Sequence, residues 1–430
     1  MKSPSFSSSR WEKRPDIQIQ DTSLFVKASS QKLSPRQLIK DCILNHATIS
    51  NEEDAFYVAD LGEVERSYRQ WQRYLPQVHP HYAVKCNADP GLILRLASLG
   101  CNFDCASITE ITLILSLDIS PERIIFSHPV KAPKAVSFAQ QHGVRNMTFD
   151  NAEELQKIAR SCPEANLYLR IAADDTEALT RLSSKFGATT STAIELFAVA
   201  QQLRLKIIGL AFHVGSGATN VQAYITAIQE AKHLINKGAA YGFCVRILDI
   251  GGGFTIDSFP AIAPKINTAL EGDELFSSPD FFIIAEPGRY MSESSMTLAC
   301  NVIGRRVRTP SEEGPSMLYL NDGLYSSFLN LAFERPEMNP KLLRKADRAI
   351  VRQGLHSYSI WGPTCDSNDL ISCKSDFDEE VEIGDWLFFE DFGAYTQSTA
   401  TSFNGFPPTN KVLYLDTEAT SLDRGTVYQK

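Results

Sequence analysis

RILDIGGG (246–253) and FFIIAEPG (281–288) are the two stretches whose reading decides the fold. Each is a short apolar run that ends in glycine or charged residues. Six similar runs precede them: HYAVKCN (81–87), NFDCAS (102–107), IIFSHP (124–129), MTFD (147–150), NLYLRI (166–171) and IIGLAFHVG (207–215). Longer amphipathic stretches lie between. PGLILRLASLG (90–100) has Pro90 near its start and Gly100 just past its end, the asymmetry expected of a helix. AEELQKIARSC (152–162) is introduced by Asp150 and Asn151, both candidate helix caps. Strand and helix alternating eight times predict an α/β fold, a (β/α)8 or TIM barrel, over residues 62–290. The rival open doubly wound sheet would carry its phosphate glycines after the first strand, whereas this GGG follows the seventh.

The residues able to do chemistry follow the same plan. Lys85, Asp104, Arg170, His213, Gly251, Gly252, Gly253 and Glu286 all fall where a run ends. In such barrels the active site lies on that face, with phosphate commonly held after strands seven and eight. Past Tyr290 the texture changes: MTLACNVIGRRV (296–307), SMLYLND (316–322), DWLFFE (385–390) and KVLYLD (411–416) read as strands separated by turns. Together with DAFYVADL (54–61) they predict a second, mainly β-sheet domain made of residues 36–61 and 291–430. Residues 1–35 are polar and rich in Ser, Pro and Gln, and read as a disordered tail.

The chain has 430 residues, 43% hydrophobic and 22% charged, ordinary globular proportions that allow two or three cores. A formal charge of -9 argues against nucleic acid or an anionic membrane as the main partner. No apolar run approaches the roughly 18 residues of a membrane span. The opening MKSPSFSSSRWEKRPD lacks the apolar core of a secretory signal; its basic, Ser-rich character weakly resembles an organelle transit sequence, with a disordered tail the plainer reading. The nine cysteines are odd in number and contain no CxxC. Cys101 and Cys105 are the nearest pair, with no second pair or histidine cluster at zinc spacing. Reduced thiols, no metal and a cytoplasmic location are expected.

Gly251–Gly253 lets backbone amides approach an anion, and EPGR (286–289) adds a guanidinium suited to phosphate. Alone, GGG is equally well a tight strand-to-helix turn. Lys85 lies within the apolar run YAVKCN, where an unpaired ammonium is costly unless it is used covalently. Facing a phosphate pocket, it suits linkage to a carbonyl. Glu286 is then the partner for a pyridine nitrogen, and His213 could lie flat on the ring.

The order of motifs closely resembles eukaryotic ornithine decarboxylase, a family of PLP-dependent decarboxylases (PLP, pyridoxal phosphate) with an alanine-racemase-like barrel. The resemblance spans about residues 54–406 and rests on YAVKCN (82–87), FDCASITE (103–110), LRIAADD (169–175), KFGA (185–188), FHVGSG (212–217), LDIGGGF (248–254), AEPGRY (285–290), NDGLYSSF (321–328), WGPTCDSND (361–369), GDW (384–386), GAYT (393–396) and FNGF (403–406). It implies that Lys85 binds the cofactor covalently, Glu286 pairs with its ring nitrogen and His213 stacks on the ring. Ser216, Gly251, Gly252, Gly253, Gly288, Arg289 and Tyr395 would surround the phosphate, with Asp104, Glu110 and Arg170 nearby. Cys365 would be the general acid that reprotonates the α-carbon, and Asp366 a ligand of the substrate's distal ammonium. In the family these two reach the site from the other subunit, and Lys185 and Asp369 match a cross-subunit ion pair, so a head-to-tail homodimer with shared sites is implied.

One segment departs from the family. LNLAFERPE (329–337) aligns Phe333 with the family's aromatic position, Glu334 where the family has Asp, and Arg335 in place of His. Glu334 keeps the charge but carries it about 1.5 Å further. It is either a tolerated exchange, with ornithine converted to putrescine as in polyamine biosynthesis, or a retuned pocket for a shorter chain, a relocated amine, a secondary amine or arginine, as in an enzyme of specialised metabolism. Ala218 and Asn220 also depart from the family, to no effect that the sequence reveals. The alternatives are a non-catalytic antizyme-inhibitor-like homologue, disfavoured by the intact cofactor motifs, and an alanine-racemase-like enzyme, disfavoured by GPTCD. An antizyme-like regulator is a further conceivable partner.

Overall fold

The computed structural model describes residues 35–49, 53–309, 311–334, 336–344 and 353–418. The expected tail up to residue 34, and Arg335, lie outside the described residues. Strand β1 (Phe56–Asp60) is followed by β2 (Val78–Ala83), β3 (Asn102–Cys105), β4 (Ile124–Phe126), β5 (Asn146–Phe149), β6 (Asn166–Arg170), β7 (Lys206–Ala211), β8 (Ile247–Asp249) and β9 (Phe282–Ala285). Strands β2–β9 form a closed parallel barrel, β9 pairing back onto β2 through Val78↔Ile283 and Pro80↔Ala285. Each strand overlaps one of the eight runs. They are legible because strands buried on both faces need continuous apolar sequence.

Caps and buried stripes set the helices between the strands. Asp89 accepts from Leu92 N (2.9 Å) to start Pro90–Ser98, whose Leu92, Ile93 and Leu96 are buried. Of the two candidates before Ala152–Ser161, Asn151 is the cap, accepting from Glu154 N, while Asp150 accepts from Gly187 N across a loop. Trp71, on the helix Leu61–Tyr74, stacks on Phe259 and donates from Nε1 to Val78 O at 2.8 Å, fastening that helix to the start of β2.

The first run ends earlier than expected. β2 stops at Ala83, and Val84–Cys86 form a 3-10 turn, so Lys85 sits beyond the strand rather than in it. The apolar sequence would allow the strand to continue. It is stopped by distant loops: Ala83 N bonds Pro287 O, and Tyr395 N and Ser398 Oγ both donate to Cys86 O.

The remaining strands are β10 (Met296–Arg306), β11 (Ser316–Leu320), β12 (Lys341–Leu343), β13 (Gln353–Trp361), β14 (Leu370–Glu379), β15 (Trp386–Phe389) and β16 (Val412–Leu415). They run in the order β12-β15-β10-β11-β13-β14, and β1 joins β10 and β16, giving a mainly antiparallel second sheet. Among the described residues, no helix is long and apolar enough to cross a membrane.

Candidate active site

The barrel strands deliver their chemistry within about one turn of their ends. Asp104 is the third residue of β3 and Arg170 closes β6. Lys85, His213, Gly251 and Glu286 follow β2, β7, β8 and β9 directly or within two residues. Lys85 Nζ donates to Asp104 Oδ2 at 2.7 Å, and Asp104 also accepts from Ser127 Oγ. The lysine side chain keeps 43% of its surface open, whereas Asp104 has none. Burial works against the ammonium charge, but Asp104, Tyr395 and Glu286 outweigh it, and the lysine pKa moves up.

Glu286 follows β9 and is partly buried. Burial first, then the neighbouring charges of Asp249 and Asp104, hold its pKa well above the usual carboxylate range. Burial raises Asp249 as well; its Oδ1 accepts from Gly251 N at 2.8 Å, while its Oδ2 is buried without a partner. Two acids of one small space cannot both ionise cheaply, so the pair retains a proton. His213 is driven the other way, its pKa pushed well below ordinary histidine by burial and by Arg170 and Lys85. Its Nδ1 accepts from Gly215 N at 3.0 Å, which leaves a neutral ring with its proton on Nε2.

The GGG and EPGR loops touch: Glu286 N donates to Gly251 O at 2.8 Å. A Cβ on Gly252 would lie 2.7 Å from Glu286 O and 2.9 Å from His213 Nε2. On Gly288 it would meet Cys86 Cβ at 2.9 Å, so glycine there lets the EPGR loop close onto the turn of Lys85. Ser216 faces Thr180 through a pair of 3.1 Å backbone bonds. Glu110 serves locally: it sits at the third position of the Ser107-capped helix and accepts from Ala106 N at 2.6 Å.

Arg289 lies over the Tyr395 ring, 5.1 Å from its centre. It donates from Nη1 to Glu293 at 2.9 Å and from Nη2 to Glu334 at 2.5 Å. Its Nε is buried without a partner. Tyr395 holds φ at 55°, the left-handed region that a tyrosine occupies only when its surroundings compel it. Glu334 is therefore tied to the phosphate-side arginine, while Phe333 beside it is 76% exposed. Sequence reasoning missed Glu293 and Asp249. The first had a signal, an acid four residues after Arg289 on a helical turn.

Cys365 and Asp366 are not drawn into this cluster by their own chain. Cys365 is exposed and its N–H donates to Asn404 Oδ1 at 3.0 Å, while Asp366 accepts from Tyr325 OH. Asp369 is buried and accepts from Leu324 N, Thr364 N and Thr364 Oγ1, and Lys185 lies 5.0 Å from the Phe186 ring.

These residues fit pyridoxal phosphate. The accessible amine of Lys85 suits its aldehyde, the Glu286 carboxyl with its raised pKa suits its ring nitrogen, and the glycine loops with the orphan Arg289 Nε suit its phosphate. Among the described residues, no cluster of His, Cys, Asp and Glu could hold a metal.

The comparisons agree. The model of the pyridoxal-dependent decarboxylase family, pyridoxal binding domain, matches residues 61–293. An ornithine decarboxylase of Neurospora crassa is 42% identical, over 90% of this chain and 87% of that protein. Antizyme inhibitor 2 of Xenopus laevis is 44% identical, over 86% and 83%. The arginine decarboxylase of Paramecium bursaria Chlorella virus, solved with agmatine, superposes with a TM-score of 0.81 at 37% identity, covering 87% of this chain and all of that one. With a barrel whose strand ends carry the lysine, the buried acid and the phosphate loops that such a cofactor needs, this chain belongs to the pyridoxal-dependent decarboxylases.

Proposed function

We propose that this decarboxylase acts on a cationic amino acid, ornithine or a relative with an altered distal amine, in two sites shared by a head-to-tail homodimer. The observation that carries the reading is the juxtaposition of Lys85, Asp104 and Glu286 at the barrel mouth, beside the touching GGG and EPGR loops. The domain division that goes with it is a PLP barrel at 62–290 and a β domain of 36–61 plus 291–430.

When bound, pyridoxal phosphate supplies an electron sink for the bond that breaks as the α-carboxylate leaves as carbon dioxide. Lys85 Nζ would hold it covalently, and Glu286 would face its ring nitrogen, yielding it the proton and leaving a carboxylate to stabilise the charged ring. His213, neutral, would lie against the ring without repelling it. The amides of Gly251–Gly253, Ser216, Gly288, Arg289 and Tyr395 would take the phosphate, with Asp104 and Arg170 lining the space between. Cys365 Sγ of the partner copy would give its proton to the α-carbon, the electron pair left by carbon dioxide forming the new C–H bond. Asp366 of the partner copy, with Phe333 and Glu334, holds the distal cation. The exposure of Cys365 and Phe333 in the single chain supports this sharing.

Two measurements test the reading. Purified protein should show the visible absorbance of a lysine-linked cofactor; its absence would favour a regulatory homologue of the antizyme-inhibitor kind. Carbon dioxide release should then be followed across ornithine, lysine, arginine, 2,4-diaminobutyrate and N-substituted amino acids. No release from any cationic substrate would sink the proposal.

A further inference from the structure

Arg289, at the end of the EPGR loop, is gripped by two acids. Nη1 is held by Glu293 at 2.9 Å and Nη2 by Glu334 at 2.5 Å, while Nε is buried and free. The side chain of Arg289 is only 9% exposed and that of Glu334 11%, so water screens the group weakly. Both acids are placed by backbone. Glu293 O accepts from Gly393 N at 2.9 Å, and a side chain on Gly393 would collide with Ser292 O. Glu334 N donates to Asn330 O at 2.8 Å. One guanidinium thus carries two fixed carboxylates before any ligand arrives.

We infer, resting on the pyridoxal phosphate reading, that Arg289 is a shared counter-ion coupling the two halves of the site: phosphate taking its Nε side draws the guanidinium charge from Glu334, which then offers its own charge to the distal cation. Glu293 is the positioning residue, holding Nη1 so that Nε stays turned toward the phosphate and Nη2 toward Glu334. Phosphate and cation therefore bind cooperatively, each tightening the other by the same factor, as linkage requires. An aspartate at 334, shorter by one methylene or about 1.5 Å, would fall short of Arg289 and lose this coupling.

The test uses the full-length protein stripped of cofactor. Calorimetry should show that 1,4-diaminobutane or agmatine tightens inorganic phosphate by about tenfold, within the usual span of such couplings. This arm needs no variant, and independent binding of the two ligands overturns the inference. In Glu334→Gln and Glu293→Gln, the affinity for pyridoxal phosphate relative to pyridoxal should rise about tenfold, because a competing anion is gone. The coupling itself should vanish in Glu334→Gln and Glu334→Asp. An unchanged or lowered ratio overturns the inference, and pyridoxal, lacking the phosphate, reports any general damage to the site. Failure of the parent protein to form a lysine-linked cofactor at all would instead defeat the functional reading beneath it.

Discussion

Replacing Asp104 by asparagine isolates what sets the reactivity of Lys85. The Asp104 carboxylate is wholly buried and lies 2.7 Å from the ammonium, which keeps 43% of its surface. Unit charges at that separation attract by about 1.5 kcal/mol in water and about 6 kcal/mol at an effective dielectric of 20. Because the lysine is so exposed, screening leaves about 2–3 kcal/mol, or about two pKa units. Burial lowers the lysine pKa and Asp104 is the foremost of the groups raising it. In the parent the neutral amine is scarce at pH 7 and grows about tenfold per pH unit. The rate at which cofactor-free protein captures pyridoxal phosphate should therefore rise about a hundredfold from pH 7 to 9. In Asp104→Asn the curve should shift about two units to lower pH, making capture at pH 7 about a hundredfold faster. Stopped-flow absorbance gives the rate, and borohydride reduction followed by peptide mass analysis gives the residue. The raised pKa of Lys85 contributes stability that is complete below its unfolded value and lost only as pH climbs above it, so melting from pH 6 to 9 should not mimic this shift. Superimposable capture curves, or a label on another lysine, would refute the reasoning.

Gly252→Ala should lower stability by about 1–3 kcal/mol through overpacking and abolish cofactor retention, since its Cβ would press on Glu286 O and His213 Nε2; a melting temperature and absorbance equal to the parent's would contradict this. Burial and Asp249 raise Glu286, so its contribution to stability is full below the unfolded carboxylate value and declines as pH rises through the folded one. Glu286→Gln should accordingly gain melting temperature over the cofactor-free parent as pH goes from 5 to 8, and a constant difference would count against the buried acid. Mixing Lys85→Ala with Cys365→Ala should restore up to about a quarter of parental activity, one intact site in two within half of the dimers, if subunits recombine at random; no recovery would argue for self-contained sites. Glu334→Asp should raise turnover of ornithine relative to other cationic substrates, and an unchanged profile would make the exchange neutral.

What the sequence reveals depends on how local the cause is. The barrel strands announce themselves because burial on both faces leaves no room for polar residues, and their ends announce the site because the chemistry must stand at the mouth. β13 and β14 are harder to see. QGLHSYSIW and LISCKSDFDE mix buried and exposed positions, and shifts of register between them break the period-two signal. The early end of β2 is invisible for a different reason: YAVKCN remains apolar past Ala83, and the stop comes from Pro287, Tyr395 and Ser398, far along the chain.

The hold of Glu334 on Arg289 belongs to the same class of hidden feature and bears most on specificity. Alignment shows an acid where an acid is expected and suggests that little has changed. The structure spends that acid on the arginine, through a reach that the extra methylene allows and a geometry that Glu293 enforces from the other side. A carboxylate already neutralised attracts a distal ammonium less than a free one, by an amount set by whatever else competes for the guanidinium. Substrate preference at this position is then a property of three groups, Arg289, Glu293 and Glu334, rather than of the acid alone.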